Sequence, residues 1–269
     1  MHNITFSTCW YIFKSKFDKE IYIKWIDNML SNVNNYNLVI YSDESSSQYL
    51  QKYLENPNIK LIIKPYEEFY MYRYKDFWIT NHEQNNLLNK RIDWKVNMLW
   101  CEKIHFVYET MQQKYFDSDF YGWCDIGYFR ETEHDLSRSD LINWPNPDKL
   151  LQLDINKIYY ACVNNDKKYL NYLYSIISNK NDIGLPATQI PPDQKSYAGG
   201  FFISHKNNIE WWHNTFDSKL QLYFQYNYLV KDDQMIVVDC IMSNADYFIS
   251  FKEINTKYDN WFLFQRELL

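Results

Sequence analysis

Short apolar runs alternate with longer amphipathic stretches along this chain. Ile4 to Thr8 has the length of a strand, and Lys19 to Leu30 carries Ile21, Ile23, Trp25, Ile26, Met29 and Leu30 in a mostly helical spacing. Leu38-Val39-Ile40-Tyr41 predicts a second, buried strand. Ser42-Asp43-Glu44-Ser45 closes it, and its serines and acids can cap a helix predicted through Gln48–Leu54. Ile59 to Ile63 repeats the strand signal and Pro65 ends it. Strands and helices alternating over so short a stretch predict βαβ units, because parallel neighbours need crossover connections.

Tyr66 to Asn89 is rich in aromatics without a clean period and predicts irregular structure with one or two short helices. Lys95 to Met111 is the strongest helix signal: Val96, Leu99, Trp100, Ile104, Val107, Tyr108 and Met111 fall at steps of three and four. Phe120 to Cys124 predicts a strand that stops at Asp125. Lys157 to Val163 predicts another strand, Lys168 to Ile177 a helix, Ile183 to Gln194 a Pro-bearing loop and Phe201 to Ser204 a strand. Helices are expected at Asn207–Tyr226 and Asp232–Met242, and a last strand at Tyr247–Phe251. Neither an internal repeat nor a composition break divides the chain, so a single domain over residues 1–269 is expected.

Composition narrows the function classes. With 28 Lys and Arg against 34 Asp and Glu the formal net charge is −6, and no segment is basic enough to track a run of phosphates, which argues against a nucleic-acid binder. Charged residues interrupt every apolar run before it could span a bilayer. Met1-His2-Asn3 leads into the first strand without a basic start or an apolar leader, and reads as the beginning of the folded domain. The five cysteines (Cys9, Cys101, Cys124, Cys162, Cys240) are scattered, which predicts buried free thiols and a cytoplasmic protein. Among 10 Trp, 25 Tyr and 17 Phe, some rings can serve as platforms for sugar faces, although cores use such residues too.

Ligands of open α/β sheets bind beyond the carboxyl ends of the strands, which turns the predicted strands into a short set of candidates. Asp125 ends an aromatic strand two residues before Gly127; a carboxylate there either holds a divalent cation that bridges a diphosphate, or caps the next turn. Lys103 lies on the apolar stripe of the long helix and needs an anionic partner, whether a diphosphate or Asp125 itself; Lys95 is a weaker candidate for that task. Gly199-Gly200 allows either close backbone approach to a ligand or a tight turn. Asp232-Asp233-Gln234 opens a helix as a cap, or fixes a sugar hydroxyl and accepts its proton. His205 and His213 are candidate metal ligands with equally ordinary structural roles. Glycine-rich nucleotide loops, the GxSxG elbow and the HExxH zinc motif are missing from the sequence.

Ile4-Thr5-Phe6-Ser7-Thr8, Lys95-x-x-x-Leu99-Trp100-x-x-Lys103, Trp123-Cys124-Asp125-Ile126-Gly127-Tyr128-Phe129-Arg130, Ala198-Gly199-Gly200-Phe201-Phe202 and Asp232-Asp233-Gln234, in this order, resemble the GT-A type of nucleotide-sugar glycosyltransferase. More specifically they resemble the HtrL/YibB-like family. The resemblance implies a GT-A-like (Rossmann-like) α/β/α sandwich with a mostly parallel central sheet. It implies transfer of a hexose-type sugar from a nucleotide diphosphate donor, UDP by default, to a hydroxyl of a glycan or protein. By the same likeness Asp125 is the metal ligand, with Mn²⁺ or Mg²⁺ as cofactor. Thr8, Cys9, Asp43, Lys103, Gly127, Gly199 and Gly200 are implied on the donor side, Gln234 and Trp123 on the acceptor side, and Asp233 or Asp232 as general base if the reaction inverts. Gly127 departs from the Asp-x-Asp metal signature: either a single carboxylate plus diphosphate oxygens still holds the ion, or Lys103 and Arg130 neutralise the diphosphate without it. A non-catalytic carbohydrate- or nucleotide-binding module is the alternative from another class. A nucleotidyltransferase would want a basic Gly-rich loop where Thr8-Cys9-Trp10-Tyr11 stands.

Overall fold

The apolar runs gather into one sheet. The computed structural model describes residues 3–269; Met1 and His2, read above as the start of the domain, lie outside the described residues. Seven strands, β1 (Ile4–Trp10), β2 (Asn37–Ser42), β3 (Ile59–Ile63), β4 (Phe120–Cys124), β5 (Ile158–Cys162), β6 (Phe201–His205) and β7 (Phe248–Lys252), lie in the order β3-β2-β1-β4-β6-β5-β7. Four pairings are parallel (β1 with β2, β1 with β4, β2 with β3, β5 with β7). Only β6 runs against its neighbours β4 and β5.

The helices are α1 (Lys19–Leu30), α2 (Glu44–Ser47), α3 (Lys75–Gln84), α4 (Trp94–Gln112), α5 (Pro147–Leu150), α6 (Lys167–Ser178), α7 (Lys206–Gln225), α8 (Asp233–Ser243) and α9 (Phe264–Glu267). Strand side chains alternate between faces, and two separate cores result. On one face Phe6, Ile40, Phe120 and Ile203 pack with Ile26 and Met29 of α1 and Phe264 of α9. On the other, Val39, Trp123 and Phe202 pack with Trp78 of α3, Phe106 of α4, Ile177 of α6, Trp212 of α7 and Val238 of α8. This is the α/β/α layering that the resemblance implies, on a mostly parallel sheet as the alternating pattern predicts.

The connections place the site. From β1 the chain leaves through α1 on one face to reach β2, whereas the entry to β4 comes through α4 on the opposite face. At the carboxyl edge of the sheet the segment after β1, the segment after β4 and the Val96–Lys103 face of α4 come together, and a crevice opens among them. Asp93 sets the start of α4 by accepting a hydrogen bond from the Lys95 amide at 2.9 Å. That fixes the helical phase that turns Lys103 toward the crevice.

One stretch differs from expectation. The helix predicted through Gln48–Leu54 is instead the single turn α2, followed by a 3-10 turn at Gln51–Tyr53. Asp43 is its N-cap, accepting from the Ser46 amide at 2.6 Å, so the cap was readable and the helix length was not. Tyr66 to Asn89 holds two 3-10 turns and the ten-residue α3. It is pinned from below by the buried Glu102, whose carboxylate accepts from the Tyr70 and Met71 amides, both at 2.8 Å. Burial pushes the Glu102 carboxyl up to about 8 despite those bonds.

Candidate functional site

Asp125 is the first residue past β4, at the mouth of the crevice. Its amide donates to the Gly200 carbonyl at 2.8 Å, which ties it to the segment leading into β6. Its side chain is 38% exposed and faces a cavity, so it is not spent on its own backbone. Oδ1 accepts from Trp123 Nε1 at 2.6 Å and meets Lys103 Nζ at 2.9 Å.

Lys103 joins three segments distant in sequence. From the middle of α4 its ammonium reaches Asp125, donates to the Gly199 carbonyl at 2.8 Å and lies 3.5 Å from Asp233 Oδ2. Burial works against its charge, and Asp125 and Asp233 outweigh it, so the ammonium is held above its ordinary value. One ammonium shared between two carboxylates fully satisfies neither. Burial pushes the Asp233 carboxyl up to about 6, with Lys103 pulling down and Asp232 and Asp125 pushing further up. Gly199 is required where it stands: a Cβ there would sit 2.6 Å from Asp233 Oδ2. Asp232, paired with Lys231 at 3.0 Å, keeps a buried Oδ1 without a partner.

Opposite this cluster the wall is aromatic and cationic. A Cβ at Gly127 would lie 2.8 Å from the Trp25 ring, so Trp25 fills the space into which a side chain at that position would project. The Arg130 guanidinium stacks on Trp25 at 4.3 Å, lies near Phe262 at 4.9 Å and donates to the Gly127 carbonyl at 3.0 Å. Lys16 Nζ hovers 4.6 Å over the Trp100 ring. The result is two adjoining cavities. The narrower, about 120 Å³, is lined by the chain after β1 and by Trp100; the wider, about 350 Å³, holds Gly199, Gly200, Asp232, Asp233 and Gln234, and both share Lys103, Asp125, Gly127 and Arg130.

The sequence candidates divide accordingly. Asp125, Lys103, Gly127, Gly199, Gly200, Asp232, Asp233 and Gln234 meet in the wider cavity, and Cys9 lines the narrower one with a thiol that burial keeps protonated. Thr8 is wholly buried and Asp43 is occupied as the cap of α2; neither lines a cavity. Trp123, expected on the acceptor side, is only 1% exposed and instead holds Asp125 by its indole N–H. Lys95 lies 4.3 Å over the Tyr66 ring. His205 caps α7 and sits opposite Phe120 at the far end of β4, while His213 bonds His105 at 3.0 Å, so the two histidines share no site with Asp125. Lys16, Trp25 and Trp100 were not among the candidates. Their signal exists only in three dimensions, since each reads in sequence as an ordinary surface or core residue.

A divalent cation does not fit this donor set. The second carboxylate of an Asp-x-Asp pair is replaced by Gly127 with Trp25 packed over it, and Asp125 Oδ1 is already shared by an indole and an ammonium. Among the described residues there is no group of three or more His, Cys, Asp or Glu side chains able to hold a metal.

All five cysteines are free and buried, and among the described residues no helix is long and apolar enough to cross a membrane. No protein-family model matches the chain, so its likeness to the HtrL/YibB-like family rests on the residues quoted above. No curated protein matches it either. Solved structures similar to it include mouse xyloside xylosyltransferase 1 in its apo form, at 12% identity over 93% of this chain and 84% of that one, with a TM-score of 0.47. The galactosyltransferase LgtC in complex with donor and acceptor sugar analogues is another, at 11% identity over 91% and 72%, with a TM-score of 0.46. Similarity this remote does not extend to substrate or cofactor, and the function has to come from the residues.

Proposed function

We propose that the chain is a single-domain glycosyltransferase that moves a hexose-type sugar from a nucleotide diphosphate donor, with UDP as the nucleotide, to a hydroxyl of a glycan or protein. The observation that carries this reading is the Lys103 ammonium gathered by Asp125, Asp233 and the Gly199 carbonyl on the floor of a two-part cleft at the carboxyl ends of β1 and β4. The narrow aromatic part suits a planar base, the cations beside it suit a diphosphate, and the wider part with its acids suits the donor sugar and the acceptor hydroxyl.

The bond that breaks joins the anomeric carbon to the diphosphate oxygen; the bond that forms joins that carbon to the acceptor oxygen. The electron pair of the broken bond leaves with the nucleoside diphosphate, and Asp233 takes the acceptor's proton. Asp233 suits that task because its raised value lies close to neutral, where a carboxylate is both ionised and basic. Asp232, with one oxygen unpartnered, orients a sugar hydroxyl. A divalent cation has no step here, since the donor set does not fit one.

The test is a thermal-shift screen of nucleotide sugars followed by product analysis of any that bind, because a ligand that binds only the folded state raises its apparent stability. A nucleotide sugar that stabilises the protein and is consumed with release of nucleoside diphosphate supports the reading. Binding with no sugar released, even with acceptors supplied, makes the chain a binding module instead.

A further inference from the structure

We propose that the Lys103 ammonium, backed by the Arg130 guanidinium on Trp25, is the built-in counter-charge for the donor's diphosphate, standing where the Asp-x-Asp signature would hold a divalent cation. The proposal rests on the reading of the cleft as a nucleoside diphosphate site. Its basis is a reversal of charge at two points. At the first, Asp125 directs Oδ1 at an ammonium 2.9 Å away, and the same ammonium is oriented by the Gly199 carbonyl at 2.8 Å. The cation is thus part of the fold, held by three sequence segments, and only 9% of its side chain is exposed.

At the second point the missing carboxylate has been replaced by a cation. Trp25 occupies the space in front of Gly127, and its ring carries Arg130, which is anchored by its bond to the Gly127 carbonyl at 3.0 Å. A guanidinium held on an aromatic face keeps its remaining N–H groups in a fixed fork, the geometry that matches phosphate oxygens. Lys16 and Lys19 add charge at the rim, so four cations line the two cavities against Asp125, Asp232, Asp233 and Asp259. A diphosphate thus arrives at fixed cationic donors without needing a metal to bridge it.

Calorimetric titration of the full chain with UDP, and with GDP as a second probe, tests this in EDTA and in Mn²⁺. The expected result is the same affinity in EDTA as in Mn²⁺, or weaker in Mn²⁺, because the metal neutralises the anion that Lys103 and Arg130 attract. Lys103→Met weakens binding in EDTA by about tenfold or more, as for loss of a hydrogen bond to a charged group, and Lys103→Arg, which keeps the charge, loses less. Circular dichroism melting of both variants separates loss of the site from loss of the fold, and the metal dependence of the unaltered protein stands whatever their outcome. Partial rescue of Lys103→Met by Mn²⁺ supports the proposal, since the metal then enters the place the lysine has left. Binding by the unaltered protein that strengthens about tenfold or more on adding Mn²⁺, or Lys103→Met that binds as well as the parent in EDTA, overturns it while leaving the nucleotide reading in place. No binding of either nucleotide under either condition overturns that reading and this proposal together.

Discussion

Helix α8 carries a buried carboxylate near each end, and the two are used in opposite ways. Asp239 is fully buried and saturated: Oδ1 accepts from Lys180 Nζ at 2.6 Å and from Ser243 Oγ at 2.9 Å, Lys219 Nζ lies at 3.4 Å, and Oδ2 accepts from Tyr223 Oη at 3.0 Å. Two lysines serve one acid, and no cavity opens onto it among those that adjoin the cleft. Six residues earlier the ratio is inverted, with one lysine serving both Asp125 and Asp233 while Asp232 keeps an oxygen unpartnered. Both clusters are lysine–carboxylate networks, one closed over Asp239 and the other opening to solvent at Asp125. What separates a structural network from a binding one is spare acceptor capacity beside an open volume, and only the cluster in the cleft has it.

The same substitution in each network sharpens this contrast. Asp125→Asn is expected to lower sugar transfer by about a thousandfold, since it leaves the Lys103 ammonium without its main anionic partner in the reacting volume. The melting temperature should move by only about 3 °C, because Asp125 is a partly exposed group with water at hand. Asp239→Asn should do the reverse. Breaking a buried ion pair costs about 3 to 5 kcal/mol, which for a chain of this size lowers the melting temperature by roughly 10 °C. Asp239 lies about 9 Å along α8 from Asp233, far enough that transfer per folded molecule should stay within about twofold. Transfer rates over a temperature series and calorimetric melting of both variants make the check. An active Asp125→Asn, or an Asp239→Asn that melts like the parent, would erase the distinction between the two networks.

How far the sequence foretold this arrangement differs between the sheet and the cleft wall. β3 and β4 begin and end where the apolar runs do, and α1 spans the predicted residues, because burial on one or both faces imposes a period that survives in the sequence. Asp125, Lys103 and Gly199 were legible for a related reason: a carboxylate at a strand end, a lysine on an apolar stripe and a glycine pair are each out of keeping with their surroundings. Arg130 was read from the sequence as a neutraliser of the diphosphate, but Trp25, which holds it, was not legible in its role. A tryptophan on an amphipathic helix looks like core wherever it falls, and only packing against Gly127 turns it into a substitute for a side chain. Asp43 was misplaced because a cap and a ligand-binding acid are the same residue in the same position, and only the Ser46 amide decides between them. Trp123 was given an acceptor it has no free face to meet, since the alternation that buries it inside β4 is also what brings its N–H back to Asp125.

The finest test of the comparison is the response of Asp233 to pH. A base works only when ionised, so the transfer rate should rise with pH through about 6 and then level, as the Asp233 carboxyl loses its proton. Lys103→Met should carry that rise to higher pH, because it removes the charge that pulls the carboxyl down. Stability must run the other way. The folded protein holds the Asp233 proton more tightly than the ordinary value of 3.8, so folding binds a proton between those values and the Asp233 contribution to stability falls as pH climbs from about 4 to about 6. Glu102, also raised by burial, adds a fall of the same sense that extends to about 8, so the Asp233 share is read as the difference between the parent and Asp233→Asn. Asp233→Asn should therefore lose less stability than the parent over pH 4 to 6, the range in which the parent's activity is growing. A rate profile flat from pH 5 to 7, in a protein that still transfers sugar, would remove Asp233 as the base and leave it a saturated structural acid like Asp239.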